Sequence, residues 1–237
     1  MYIQNKVKPM LAQFEILGRK HSRMQVFEDF LTIAHCALWI PPTFEAFIEK
    51  ENEYKRVMAK YTTFEHDAFI EVFARLSLLM EEEHDDYLGT LYNLLQLSSR
   101  KRGEVYTPMH IAELLAEIQM GEHPVEEQAS VMDPACGSGA LIIGYARVLN
   151  KKGVNASEKM YAECTDISLL ACKMAFIQLS LMGVPAQVKW GNALKNEYQQ
   201  AWFTSACYTD ASARIAKYRA EEIKLKKTTN ALHRKAQ

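Results

Sequence analysis

At 237 residues, with 49% apolar and 24% charged residues, the chain has the composition of an ordinary globular protein and room for one medium domain or two small ones. A formal net charge of -1 excludes a polyelectrolyte that coats nucleic acid, although a local basic face remains compatible with it. No run approaches the roughly 18 apolar residues of a membrane helix, and the start MYIQNKVKPMLAQF lacks the apolar core of a signal peptide, so a cytoplasmic protein is expected.

Up to about residue 100 the apolar spacing is helical. Met24, Phe27, Phe30, Leu31, Ala34 and Leu38 recur at three- and four-residue steps, which places them on one stripe. Pro41 and Pro42 stop that helix, and Thr43 is suited to cap the next, which carries Phe44, Phe47, Ile48, Tyr54, Val57 and Met58. A third run holds Phe69, Val72, Phe73, Leu76, Leu79 and Met80, and a shorter one Leu88, Leu91, Tyr92 and Leu95.

The character changes over residues 98–108, SSRKRGEVYTP, where Ser, charge and Gly concentrate. Pro108 is placed to open a helix carrying Ile111, Leu114, Leu115 and Ile118. Residues 129–133 then read as a short buried strand, 140–150 as a helix, 159–165 as a second strand and 166–182 as an apolar helix ended by Gly183. Residues 186–190 form a third strand, and no further strand is expected after Trp190. Strands alternating with helices imply parallel pairing. From Ser205 onward an Ala-, Lys- and Arg-rich stretch suggests a helix and a basic tail.

The most informative segment is VMDPACGSG, residues 131–139. Gly137 and Gly139 allow a tight turn from strand into helix and are expected to leave backbone N–H groups free for a small polar ligand over the carboxyl edge of the sheet. Asp133 is suited to accept from a ligand ammonium group; Ser138 is suited to cap the helix or to donate to a ligand carboxylate. The segment is not a dinucleotide fingerprint, since the third glycine is missing, and not a phosphate-binding Walker loop, since no Gly-Lys-Ser/Thr ends it. Cys136 reads as a small packing residue. The five cysteines show no C-x-x-C spacing and pair with no histidine at ligand intervals, so free thiols and no metal site are expected.

Residues 131–139 resemble the cofactor motif of the N6-adenine DNA methylases, especially the modification subunits of bacterial type I restriction–modification systems. The resemblance extends over about residues 100–200 and includes GEVYTP at 103–108, similar to the family's G-x-(Y/F)-(Y/F)-T-P segment. It implies an α/β fold: an N-terminal helical domain over 1–100, a partial Rossmann-like S-adenosylmethionine-dependent methyltransferase sheet over 101–204, and a C-terminal helix and basic tail over 205–237. It implies S-adenosyl-L-methionine as cofactor, contacted by Tyr106, Thr107, Pro108, Asp133, Pro134, Ala135, Gly137 and Ser138.

Relatives carry an acidic residue at the end of the second strand that binds the ribose. Here that position holds Cys164 with Glu163 beside it, and a one-residue slip along a strand changes face. Asp166 is expected to cap the following helix. Gly191-Asn192-Ala193-Leu194 resembles the family's G-(D/N)-(T/A/S)-L, which gives Asn192 the edge of the cofactor's adenine to read, against the plainer role of a turn former.

The family's catalytic (D/N)-P-P-(F/Y) segment has no counterpart after Asn192, and the one Pro-Pro pair, Pro41-Pro42, lies in the helical region. No residue is assigned a catalytic role. The resemblance therefore implies a site-specific adenine-N6 DNA methyltransferase-like protein, or alternatively a non-catalytic cofactor-binding or regulatory subunit, or the remnant of such a system. DNA is an expected partner, directly or through another subunit. A homo-oligomer or partner chain is expected to cover the edge of the sheet, and Arg100-Lys101-Arg102 and residues 224–227 are candidate phosphate contacts.

Overall fold

Two glycine-ended turns and three short apolar strands set the frame. The computed structural model describes residues 2–95, 97, 107–121 and 129–208. Strands β1 (Ala129–Asp133), β2 (Met160–Asp166) and β3 (Ala186–Asn192) are parallel, and β4 (Glu197–Phe203) returns antiparallel to β3, so the strand order is β1-β2-β3-β4. Helix α7 (Ala140–Lys151) and the single turn α8 (Ala156–Lys159) connect β1 to β2, and α9 (Leu169–Leu181) connects β2 to β3.

Ahead of the sheet lie α1 (Tyr2–Leu17), α2 (Arg23–Leu38), α3 (Phe44–Met58), α4 (Thr63–Glu82), α5 (Tyr87–Leu94) and α6 (Met109–Met120). Their boundaries follow local chemistry. Pro41 and Pro42 follow the end of α2, and Thr43 caps α3 by accepting from the Ala46 amide at 3.2 Å. Thr62 and Glu65 form a reciprocal capping box at the start of α4.

Helix α9 is apolar on every face, and the packing shows why. One side covers β2 and β3 while the other is covered by α2, α4 and α5. A helix sandwiched in this way has no solvent side, and its residues 171–180 are all buried. The helices before residue 100 and the sheet thereby share one hydrophobic core.

Two expectations need correction. A fourth strand exists: Glu197–Phe203 pairs with β3, although only Trp202 of its seven residues is buried. An edge strand with one anchoring side chain shows neither alternation nor an apolar run, so it leaves little trace in a pattern. Asn196 in the left-handed region and the tight approach at Gly191, where an added Cβ would lie 2.3 Å from the Glu197 carbonyl oxygen, turn the chain back. Second, α9 is capped by Ser168, whose hydroxyl accepts from the Ala171 amide, and not by Asp166. Residues 205–208 form a single 3-10 turn, and the rest of the helix and basic tail expected from Ser205 onward lies outside the described residues, as do Arg100-Lys101-Arg102.

Helix α6 packs differently from its apolar stripe. Its buried residues are Ala112 and Ala116, against α7, while Ile111, Leu114, Leu115 and Ile118 face outward. The close approach depends on Gly144 of α7. A Cβ there would lie 2.7 Å from the Ala112 Cβ and 2.8 Å from its carbonyl carbon. In an open helix Gly→Ala gains roughly 1 kcal/mol, but here the clash involves backbone. We expect Gly144→Ala to destabilise the protein by about 1–3 kcal/mol in urea unfolding; a gain in stability would mean that α6 moves aside freely.

Candidate functional site

The strand ends β1, β2 and β3 bring Asp133, Asp166 and Asn192 to the carboxyl edge of the sheet. Asp133 pairs in register with Cys164, and Asp166 with Trp190. Between β1 and α7 runs the turn of residues 134–139. Gly137 and Gly139 both have positive φ, 55° and 95°, where a side chain would be strained. Gly139 also faces α9, with Ala175 Cβ at 3.4 Å from where its own Cβ would be.

The turn is held mostly by its own backbone. The Ala135 amide donates to Asp133 Oδ1 at 3.0 Å, Cys136 to the Thr165 carbonyl at 2.9 Å, and Gly137 to Asp166 Oδ2 at 2.9 Å. Gly139 donates to the Cys136 carbonyl at 2.8 Å. The expected cradle of free amides around the two glycines is therefore not what the glycines build. Those N–H groups close the turn and tie it to β2, and the glycines supply the backbone course that makes this possible.

What the turn leaves open is one carboxylate oxygen. Asp133 is buried, and its Oδ2 has no hydrogen-bond partner among the described residues. Burial, reinforced by the nearby charge of Asp166, raises the Asp133 pKa above the usual carboxylate range against the opposing Ala135 amide. Helix α7 begins next to it, and no side chain caps its first turn. An unpaired buried acceptor beside an uncapped helix start suits a ligand with one cationic and one anionic group close together.

The remaining expected residues are placed as follows. Pro134 and Ala135 are exposed, Gly137 is half-buried and Thr107 is half-buried. Pro108, exposed, stands at the N-terminus of α6, and Tyr106 lies outside the described residues. Ser138 is buried, its hydroxyl donating to Asp86 Oδ2 at 2.6 Å, so it faces the helical region and not the sheet edge. Glu163 is in the middle of β2 and is bound to Lys189 at 3.2 Å. Cys164 is fully enclosed. Asn192 accepts from the Lys195 amide at 3.1 Å, which is the role of a turn former.

Two residues take roles that the sequence did not give them. Asp166 accepts from Gly137 through one oxygen and from the Ser168 amide, at 2.8 Å, through the other. Asp86, the cap of α5, reaches the turn from the helical side. Cys136 is buried, and a hydrogen bond with Cys164 and then burial push its thiol well up, away from the thiolate a nucleophile needs. Among the described residues no cluster of His, Cys, Asp and Glu is arranged to hold a metal ion, and no helix is long and apolar enough to cross a membrane.

A family model described as N-6 DNA Methylase matches residues 83–213, more than half of the chain. The chain belongs to this family. Its matched segment runs from the turn before α5 through the sheet. Among curated methylase subunits, that of the type I restriction enzyme MpnII from Mycoplasma pneumoniae is 28% identical over 133 residues, 54% of this chain and 22% of that protein. The MjaVIII and MjaVII methylase subunits of Methanocaldococcus jannaschii are each 30% identical, over 132 and 115 residues, covering 54% and 47% of this chain and 21% and 18% of theirs. This N-6 DNA methylase chain thus spans about a fifth of the length of those relatives.

Two crystal structures are similar at lower identity. A Listeria monocytogenes protein described as a class I S-adenosylmethionine-dependent methyltransferase is 16% identical with a TM-score of 0.48, covering 83% of this chain and 55% of that one. The methyltransferase subunit of a type I restriction–modification system from Streptococcus thermophilus gives 14% and 0.40, covering 78% and 43%. Both scores are below 0.5, so the fold rests on the strands and helices described above.

The unpaired Asp133 oxygen has a consequence for stability. Because the folded state raises this pKa, the unfolded chain releases its proton first as pH rises, and stability falls between the ordinary carboxylate range and the raised value. Asp133→Asn keeps the Oδ1 acceptor for Ala135 and removes the buried charge. In urea unfolding of the ligand-free protein we expect the variant to gain on the wild type at pH 7 and to lose that advantage near pH 3.5. Equal differences at both pH values would show that the carboxylate carries no such penalty.

Proposed function

We propose that this chain is the cofactor-binding part of an S-adenosylmethionine-dependent adenine-N6 DNA methyltransferase of the type I restriction–modification kind. The carrying observation is the buried Asp133 Oδ2 at the carboxyl end of β1, which has no partner among the described residues, next to an uncapped helix start. Family membership supports the class of reaction.

The residues present fit this cofactor. Asp133 would take the ammonium group of its methionine part, with the cofactor's carboxylate toward the first turn of α7. Pro134, Ala135 and Gly137 would form the wall beside it, and Thr107 and Pro108 would close it from the segment before α6. Ser138 supports the turn from behind through Asp86. On this reading Asp166 is a better acceptor for the ribose hydroxyls than Glu163 or Cys164. It ends β2, and each of its oxygens keeps a second lone pair, whereas Glu163 is held by Lys189 and Cys164 is enclosed. Asn192 would meet the adenine with whatever capacity its bond to Lys195 leaves. When bound, S-adenosylmethionine supplies an electrophilic methyl group.

The proposal extends to partners. DNA, and a further subunit or second copy covering the outer side of β1, belong to it. Leu115 of α6 is 48% and Met132 of β1 59% exposed, and both line a cavity of about 250 Å³ between α6, β1 and α7. An exposed apolar strip of this kind marks an interaction surface.

Calorimetry with S-adenosylhomocysteine tests the core of the proposal. Micromolar binding is expected for the wild type, with loss of at least about a hundredfold in Asp133→Ala. A wild-type titration no different from buffer dilution ends the cofactor reading. Transfer of labelled methyl groups to unmethylated duplex DNA, assayed with and without a partner subunit, then separates an enzyme from a binding subunit.

A further inference from the structure

Asp86 is a buried carboxylate where the helical region meets the sheet, and its contacts reach past the helix it caps to the glycine turn. As cap of α5 it accepts from the Gly89 amide at 2.9 Å through Oδ1. The same oxygen accepts from Gln178 Nε2 of α9 at 2.9 Å, and Oδ2 accepts from the Ser138 hydroxyl at 2.6 Å. Gln178 completes the knot. Its Nε2 also donates to the Ser138 carbonyl at 2.9 Å, and its Oε1 accepts from the Leu88 amide at 3.0 Å. Ser138 is thus gripped at hydroxyl and carbonyl, between two glycines of positive φ that by themselves give the turn little rigidity.

A cap needs far less than this. Ser or Thr would satisfy the α5 amide equally well, without a buried carboxylate whose ionised form burial disfavours. The same α4–α5 turn grips the far side of the junction as well. Arg147 of α7 donates to the His84 carbonyl and to Glu113 of α6, and pairs with Glu83 at 3.3 Å and Asp85 at 3.5 Å. Gly89 is there because of Asp86: a Cβ at that position would lie 2.2 Å from Asp86 Oδ2.

We propose that Asp86 is a positioning residue for the glycine turn: from the helical region it fixes Ser138, and through it the backbone between Gly137 and Gly139 that sets Asp133 and the first turn of α7 toward the ligand. This rests on the cofactor reading above for its functional half, while the immobilisation itself is a property of the free protein. Asp86 touches no ligand.

Three variants of the full chain test it. Asp86→Ser keeps a cap for α5 but is too short to reach Ser138. Gly89→Ala leaves Asp86 in place and drives its carboxylate off Ser138. Val57→Ala, on the buried side of α3, which packs on α2, controls for general loss of stability. Amide hydrogen exchange of the ligand-free protein should accelerate on the order of tenfold at residues 137–140 in the first two, and not in the control. Binding of S-adenosylhomocysteine should weaken by a similar factor in the same two variants, well below their unfolding temperatures. Unchanged exchange over 137–140 in Asp86→Ser and Gly89→Ala, or an equal change in Val57→Ala, overturns the proposal, as does wild-type affinity in variants whose turn has loosened. Loosened turns in a protein whose wild type binds no S-adenosylhomocysteine would remove the cofactor reading instead, leaving the grip on Ser138 established by exchange.

Discussion

A helix with no solvent face governs this structure. Because α9 lies between the sheet and the N-terminal helices, every polar group on it must be matched inside the protein, at a cost of a few kcal/mol for each that is not. Gln178 meets that demand with three hydrogen bonds, to Leu88, Asp86 and Ser138, and so joins α5, α9 and the glycine turn at one point. Lys173 meets it by bonding Thr32 at 3.0 Å and pairing with Glu53. Where matching fails the result is visible: among the described residues, the Ser180 hydroxyl of α9 and, on the facing α2, both ring nitrogens of His35 are buried without partners. His35 remains neutral, its pKa lowered to about 3 by burial and by Lys173 and Lys50, among the rings of Trp39, Phe176 and Trp202.

The same economy shapes the site. A turn that spends its own amides on Asp133, Thr165, Asp166 and Cys136 has few donors left to offer a ligand. Its rigidity comes from those bonds in front and from Asp86 behind. What remains free is a carboxylate oxygen that the folded protein keeps at a loss in stability. Proteins hold such groups where a ligand makes up the difference, and this is the physical basis for reading Asp133 as the centre of the site.

Much of this was legible from the residues alone. The five residues of β1, the start of α7 and the end of α9 before Gly183 follow directly from short apolar runs broken by glycine, because those signals are local. The turn DPACGSG stands out for the same reason. β4 does not, since a strand that buries only Trp202 looks like a loop. Asp86 looks like any helix cap, fifty-two residues from Ser138 in the chain. One clue was present: a Gln in the middle of a helix apolar on all sides announces a buried partner without naming it.

The sequence by itself determined that three strands alternate with apolar helices, that a glycine turn follows the first strand, and that an aspartate stands at its end, because each depends on residues within one or two turns of the chain. Only the tertiary structure decided which of those groups stay available. Whether an amide is free, whether Ser138 faces a ligand or the core, and whether Glu163 is solvated or bound to Lys189 are questions of which distant segment arrives alongside, and burial makes the answer costly to change.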